Sequence, residues 1–223
     1  GLNLSSSAIN NCAQNWWIAM VAIVIIIAAN IFSIYREVGT SLRHAFFQVS
    51  SIITTTGYAT ADFNEWPQLS RTILVMLMFF GACAGSTGGG LKTSRLLLYF
   101  RSMRRDLKRM LHPHSVEAIM LDGKPVSEET LNGANSFFLM YSTIACFCVL
   151  LLSIDGFDFE TNFTAMAACL NNIGPGLGMV GPTGNFSAFS DFSKILLSFA
   201  MLFGRLEVFP MLLIFAPSVW RRR

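Results

Sequence analysis

The sequence predicts an all-α integral membrane protein made of two tandem repeats that run parallel to each other. Three observations predict it: a composition too apolar for an aqueous domain, four long apolar runs, and two short blocks that match at a fixed spacing. Of 223 residues, 53% are hydrophobic and 13% charged, with a mean hydropathy of +0.52. Water-soluble domains carry about a quarter of their residues as charges.

The first stretch, "GLNLSSSAINNCAQN" (residues 1–15), has neither the basic start nor the small-residue cleavage site of a signal peptide. It reads as a linker, and a chain that begins at Gly1 is expected to be a fragment or trimmed form of something longer. The apolar runs at 16–35, 67–100, 136–154 and 192–219 each approach or exceed the roughly 20 residues needed to cross about 30 Å of hydrocarbon. The second is interrupted by Gly81, Gly85, Gly88, Gly89 and Gly90. The expected organisation is a linker at 1–15, a first repeat at 16–100, a basic loop at 101–135 and a second repeat at 136–223. The five cysteines form no CxxC pair and read as packing residues rather than ligands or disulfides.

Charge orients the chain. Between the second and third runs, residues 92–124 hold eight Lys/Arg, including "RSMRRDLKR", and the sequence ends in Arg221, Arg222 and Arg223. These parts are expected on the cytoplasmic side of the membrane. The other connections carry seven acids against four bases and belong outside. Nucleic-acid binding is the weaker reading of a basic cluster beside a span.

Inside the outer connections lie "SLRHAFFQVSSII" and "ETNFTAMAACLNNI", helical in pattern but 13 and 14 residues long, so each reaches only about 20 Å at 1.5 Å per residue. Each is followed by a glycine-containing strip, "TTTGYAT" or "IGPGLG", giving a re-entrant hairpin. Placing Gly57 on Gly174, an offset of 117, runs "FFQVSSIITTTG" beside "FTAMAACLNNIG". Further on, "RTILVMLMFFG" lies beside "KILLSFAMLFG" at an offset of 123, with six extra residues absorbed within "GMVGPTGNFSAFSD". The unit is span, short helix, strip, span, repeated twice.

Irregular backbone at membrane depth is tolerated only where it is buried in protein or lines a watery cavity. An extended strip offers carbonyl oxygens that can replace the hydration shell of an alkali cation. The short helices would aim their partially negative C-terminal ends at that cation. Thr54, Thr55 and Thr56 add hydroxyls and β-branched stiffness before Gly57, and Pro175 fixes the turn after Gly174. Two strips cannot encircle an ion, so further repeats or partners are needed.

Together "SSIITTTGYAT", "GACAGSTGGGLKTSR", "LNNIGPGLG" and "LFGRLE", in that order and spacing, resemble the membrane subunit of the Trk-type bacterial potassium uptake system, within the Trk/Ktr/HKT superfamily. The resemblance runs from about Trp16 to the end of the chain. It implies a potassium-channel-like pore fold of four span, pore helix, filter, span repeats, of which this chain resembles the third and fourth. It also implies potassium as substrate with no covalently bound cofactor, and the first two repeats as missing partners. Beyond the chain it implies a lipid environment, a homodimer and a cytoplasmic nucleotide-binding regulatory subunit of the TrkA-like kind. Carried over by position, the potassium filter is Thr55, Thr56 and Gly57 in one copy and Asn172, Ile173 and Gly174 in the other. Any K+ site falls on these residues only.

The repeat alignment puts Arg205 opposite Ala82, at the depth of the glycine-rich break. An arginine midway along a span costs about 3 kcal/mol or more and usually faces a cavity or a partner. Its candidate partners are carbonyls freed in the break or pore water, and snorkelling to the interface is the alternative. In the resembling family the break is an intramembrane loop beneath the filter. The expected gate is therefore Gly81, Gly85, Ser86, Thr87, Gly88, Gly89, Gly90, Lys92 and Arg205. Glycines that only permit close helix packing are the simpler reading.

"GSTGGGLKTS" is not a phosphate loop, because Leu91 stands at the lysine position. His44, His112 and His114 make no metal cluster, and no nucleophile, base and orienting acid converge, so no enzyme is expected. Against ion transport stands a non-conducting membrane scaffold or receptor with packed re-entrant repeats. The strips and the arginine favour transport. Channel-like flux and coupling to H+ or Na+ are both compatible with these residues.

Overall fold

A computed structural model of the chain describes residues 6–79, 93–111, 120–121 and 124–206. Along these residues run α1 (Ser6–Tyr35), α2 (Val38–Ile53), α3 (Gln68–Phe79), α4 (Thr93–Leu111), β1 (Met120–Leu121), β2 (Lys124–Pro125), α5 (Glu128–Leu152), α6 (Phe159–Leu170) and α7 (Asp191–Leu206). Long helix, short helix, irregular strip and helix occur in that order twice. Among the described residues the architecture is all-α apart from one antiparallel pair, with Met120 opposite Pro125 and Leu121 opposite Lys124.

Helix limits differ from the apolar runs in two places. α1 is helical from Ser6, the first described residue, so much of the expected linker at 1–15 is helical. The expected basic loop at 101–135 is likewise not a loop throughout: α4 carries the basic cluster as far as Leu111, and α5 already starts at Glu128. In both cases polar or charged side chains are kept out of hydrocarbon, yet Arg, Lys, Leu and Met are good helix formers and Ser and Asn near a helix end are tolerated. Hydropathy marks the bilayer, not the helix. The start of α5 is built by Ser127, whose hydroxyl accepts the Thr130 amide, with Glu128 and Glu129 in the first turn.

By length and hydropathy, Glu128–Asp155 is the stretch among the described residues that can cross a membrane, at a mean hydropathy of 2.3. The apolar part of α1, Ala19–Tyr35, is shorter. α3 and α7 are described for 12 and 16 residues, and the remainder of the expected second and fourth spans lies outside the described residues. Outward-facing Val21, Ile25, Leu139, Phe147, Leu150, Ile195 and Phe199 are exposed. Such an apolar exterior suits hydrocarbon rather than water.

Each long–short–long set builds its own core. Ile27 and Ile31 of α1, Val49 and Ile52 of α2 and Leu74 of α3 close around Phe63, while Leu152, Met166, Leu170, Leu197 and Ala200 do the same for α5, α6 and α7. The sets interlock. Ala167, Ile173 and Leu177 belong to the first core, and Phe79 packs against the second, its ring 5.8 Å from Phe163. Polar ties reinforce this seam. The Asn64 amide donates to the Gly178 carbonyl at 3.2 Å and accepts the Gly178 N–H at 3.0 Å. Thr183 Oγ1 donates to Asp62 at 2.8 Å, and Arg71 pairs with Glu160. Elsewhere α4 packs on α5 through Leu98, Leu131 and a Tyr99–Phe138 stack at 4.6 Å, and Arg105 reaches Glu128 at 2.7 Å.

α7 approaches the end of α6 closely enough that a methyl group at Gly204 would lie 1.7 Å from the Leu170 carbonyl oxygen. Backbone on backbone leaves no side chain to yield. Gly204→Ala should therefore destabilise the folded protein by about 2 kcal/mol, as overpacking does, and lower its thermal midpoint in detergent. An unchanged midpoint would mean that α7 can move off α6 at no cost.

Candidate ion-binding strips

α2 and α6 end in the same way. At the end of α2, the Thr55 amide donates to Ile52 O at 3.1 Å and the Thr56 amide to Ser51 O at 2.9 Å. At the end of α6, Asn172 donates to Cys169 O at 3.1 Å and Ile173 to Ala168 O at 2.8 Å. This pair of bonds defines a Schellman motif, whose residue after the cap must be left-handed. Thr55 has φ 53° and Asn172 φ 55°. Every one of these residues differs from its counterpart by 117, the offset of the sequence alignment, and so do Gly57 (φ 77°) and Gly174 (φ 111°).

The Schellman bonds consume the carbonyls of the last helical turn and leave those beyond it. Among the described residues, no donor reaches the carbonyls of Thr54, Thr55, Thr56 or Gly57, nor those of Asn172, Ile173 or Gly174. The strips thus present unclaimed carbonyl oxygens at the partially negative ends of two helices, an arrangement that favours a cation. Thr54, Thr56 and Gly174 are exposed, Thr55, Gly57 and Asn172 half-buried, and Ile173 buried.

The strips meet. A methyl group added to Gly57 would sit 2.1 Å from the Ile173 carbonyl oxygen, whereas one at Gly174 would meet nothing within 4 Å. Gly57 is therefore required both by its positive φ and by the neighbouring strip, Gly174 by its backbone angle. Each strip is also tied from behind. Ser51 Oγ donates to Tyr58 O at 2.6 Å and the buried Gln48 amide to Ala61 O at 3.1 Å. On the second strip the Leu177 amide donates to Thr164 Oγ1 at 2.9 Å, and Asn172 Nδ2 donates to Met201 O at 3.0 Å.

All six sequence-predicted strip residues thus lie at two adjoining helix ends. Of the expected gate, Gly81, Gly85, Ser86, Thr87, Gly88, Gly89, Gly90 and Lys92 lie outside the described residues. Arg205 is described: it occupies the last turn of α7, is exposed, and follows the Gly204 contact with the end of α6. His44 is not a ligand in a cluster but stacks on Tyr35 at 5.0 Å and touches Thr60 Oγ1 at 3.1 Å. Among the described residues no group of His, Cys, Asp and Glu could hold a metal ion.

Several supporting residues escaped sequence reasoning. Asn64 reaches Gly178 across 114 residues, and nothing local in "DFNEW" signals it. Tyr141 and Asn171, hydrogen bonded at 2.7 Å, did leave a trace, since a tyrosine inside an apolar run needs a partner for its hydroxyl.

Residues 35–222 match the TrkH family model, described as a cation transport protein. Over 189 residues the chain is 42% identical to the Trk system potassium uptake protein TrkH of Salmonella typhimurium (strain LT2), covering 85% of this chain and 39% of that protein. The TrkH protein of Escherichia coli (strain K12) is 40% identical over the same shares. The crystal structure of the potassium transporter TrkH from Vibrio parahaemolyticus matches with a TM-score of 0.82 at 35% identity, over 93% of this chain and 44% of that one. The chain spans about two fifths of the length of these relatives. Its fold is that of an all-α membrane transporter, and the chain belongs to the TrkH family of cation transport proteins.

Proposed function

We propose that this chain supplies two of the four pore repeats of a potassium transport protein in the bacterial cytoplasmic membrane. The observation that carries the reading is the pair of matched helix ends, touching at Gly57 and Ile173, whose carbonyls find no donor among the described residues. The relatives, named as potassium uptake proteins, agree with it. In this reading Thr55, Thr56, Gly57, Asn172, Ile173 and Gly174 each contribute backbone oxygens that replace water around K+. Two strips cover half a ring, and two further repeats of the same subunit complete it. A second copy of the subunit and a cytoplasmic, TrkA-like nucleotide-binding partner complete the assembly. α4 and the chain's end lie on the cytoplasmic side.

The gate is the segment from Gly81 to Lys92 together with Arg205. Asn172 holds the carbonyl of Met201, and Arg205 is one helical turn further along α7, about 6 Å at 1.5 Å per residue. That position is just past the filter on the cytoplasmic side, where a fixed positive charge repels a leaving cation and can bind the glycine-rich segment.

Two experiments test these assignments in the full protein reconstituted into vesicles. Gly57→Ser places a side chain against the Ile173 carbonyl, so the preference for K+ over Na+ should fall about tenfold or more, equal to at least 1.4 kcal/mol of discrimination. An unchanged ratio of K+ to Na+ uptake counts against the filter. Arg205→Ala, or deletion of residues 84–88, should raise rubidium uptake at matched expression. Uptake at or below the wild-type level in both would sink the gate.

A further inference from the structure

We propose that Tyr141 is a positioning residue for the second strip, acting through Asn171, and that the two strips are held by different chemistry. The inference rests on the reading of these strips as a potassium filter.

Asn171 caps α6 and is fully buried. Its Nδ2 donates back to Ala167 O at 2.9 Å, and its Oδ1 accepts the Tyr141 hydroxyl at 2.7 Å. Tyr141 belongs to α5 and is itself 5% exposed. The cap of the second strip is therefore bolted to a long helix. On the other side Asn172 Nδ2 ties the next residue to Met201 of α7. Asn171 and Asn172 together suspend the strip between two long helices, and the carbonyls of Asn172 and Ile173 follow directly.

The first strip has half of this arrangement. Thr54, the counterpart of Asn171, makes the same backward bond, Oγ1 to Ser50 O at 2.7 Å, but its other partner is Thr56 Oγ1 at 2.7 Å, within the strip itself. Subtracting 117 from Tyr141 leads to Val24 of α1, a buried residue with no hydroxyl. Thr54 and Thr56 are exposed where Asn171 is buried. The cap residue of one strip is held by a hydroxyl within the strip, and that of the other by the scaffold. Removing the Tyr141 hydroxyl alone, with the ring kept in place, should loosen the second strip and leave the first untouched.

The test uses the full protein in lipid vesicles or nanodiscs with Tyr141→Phe. A second variant, Asn171→Thr, gives the second strip the cap of the first; its hydroxyl can bond Ala167 O but cannot reach Tyr141. The control is Tyr35→Phe, which loses only a hydroxyl contact with Trp66 at 3.4 Å. Amide hydrogen exchange should quicken in residues 170–176 by about fivefold, the equivalent of one lost hydrogen bond, and stay unchanged in residues 53–59. The ratio of K+ to Na+ uptake should fall by about the same factor in both variants, with no further fall in the double variant, because both remove one interaction. Unaltered exchange in 170–176 overturns the positioning role whatever transport does. Quicker exchange with an unaltered ratio overturns the link to ion choice. A wild-type protein that does not distinguish K+ from Na+ would sink the potassium reading alone, and the exchange arm would still decide whether Tyr141 holds the strip.

Discussion

A short helix that stops inside an apolar protein leaves its last four carbonyls without helical partners, and the architecture around the strips follows from how that shortage is met. Water is the usual donor to such groups at a surface, but α6 is buried along most of its length, from Thr161 to Leu170. The Schellman bonds satisfy Ala168 and Cys169, and Asn171 satisfies Ala167. The Leu170 carbonyl faces Gly204 of α7, which comes close only because it lacks a side chain, and it takes no hydrogen bond from any described residue. Just beyond the helix end, the carbonyls of Asn172, Ile173 and Gly174 take no hydrogen bond from any described residue. An unsatisfied carbonyl in an apolar setting costs about 1–3 kcal/mol. In the proposed reading, a cation that fits among the strips relieves that cost.

The same pressure explains the seam between the two sets of helices. Strips that carry uncommitted carbonyls repel one another unless something fixes their separation. The contact of Gly57 with the Ile173 carbonyl sets it at close range, and Asn64 grips both polar groups of Gly178 from the other set. Because the Asn64 amide both donates and accepts, it holds backbone that could otherwise rotate. Arg71 and Glu160 add a charged tie beside it, although their exposure of 21% and 45% limits such a pair to about 1 kcal/mol or less. The seam is held chiefly by packing and by the bidentate amide.

Much of this was legible in the sequence, for identifiable reasons. Two short helices and two strips were visible because a glycine ends an apolar stretch too short to span, and because an offset of 117 aligned each short helix and its strip with the other pair. The helical course of residues 6–15, 101–111 and 128–135 was not, since apolar runs report where hydrocarbon lies while helices continue past it on Arg, Lys and Leu. The partners of the strips were illegible for a different reason. Tyr141 and Asn171 are 30 residues apart, Asn64 and Gly178 are 114 apart, and such pairings arise from tertiary packing with no local periodicity. Left-handed backbone occurs at Gly57 and Gly174, yet the first such residue in each strip is Thr55 or Asn172.

Thr55 is the more telling of these two. Asparagine visits the left-handed region with little penalty, but a β-branched residue there is strained. The cost is of order 1–3 kcal/mol and persists only where the surroundings over-determine it. Here two backbone bonds, from Thr55 to Ile52 and from Thr56 to Ser51, together offset about 2 kcal/mol of it. The Thr54 and Thr56 hydroxyls, 2.7 Å apart, close over the strained residue. Glycine at position 55 would relieve the strain but add backbone freedom to a strip whose cap residue has no partner on a long helix. A stiff residue in an unfavourable conformation fixes the carbonyl directions through the chain itself, where the second strip relies on Tyr141 and Met201 from outside. Two routes thus lead to one backbone geometry, and the strip lacking a scaffold anchor at its cap is the one built from consecutive β-branched residues.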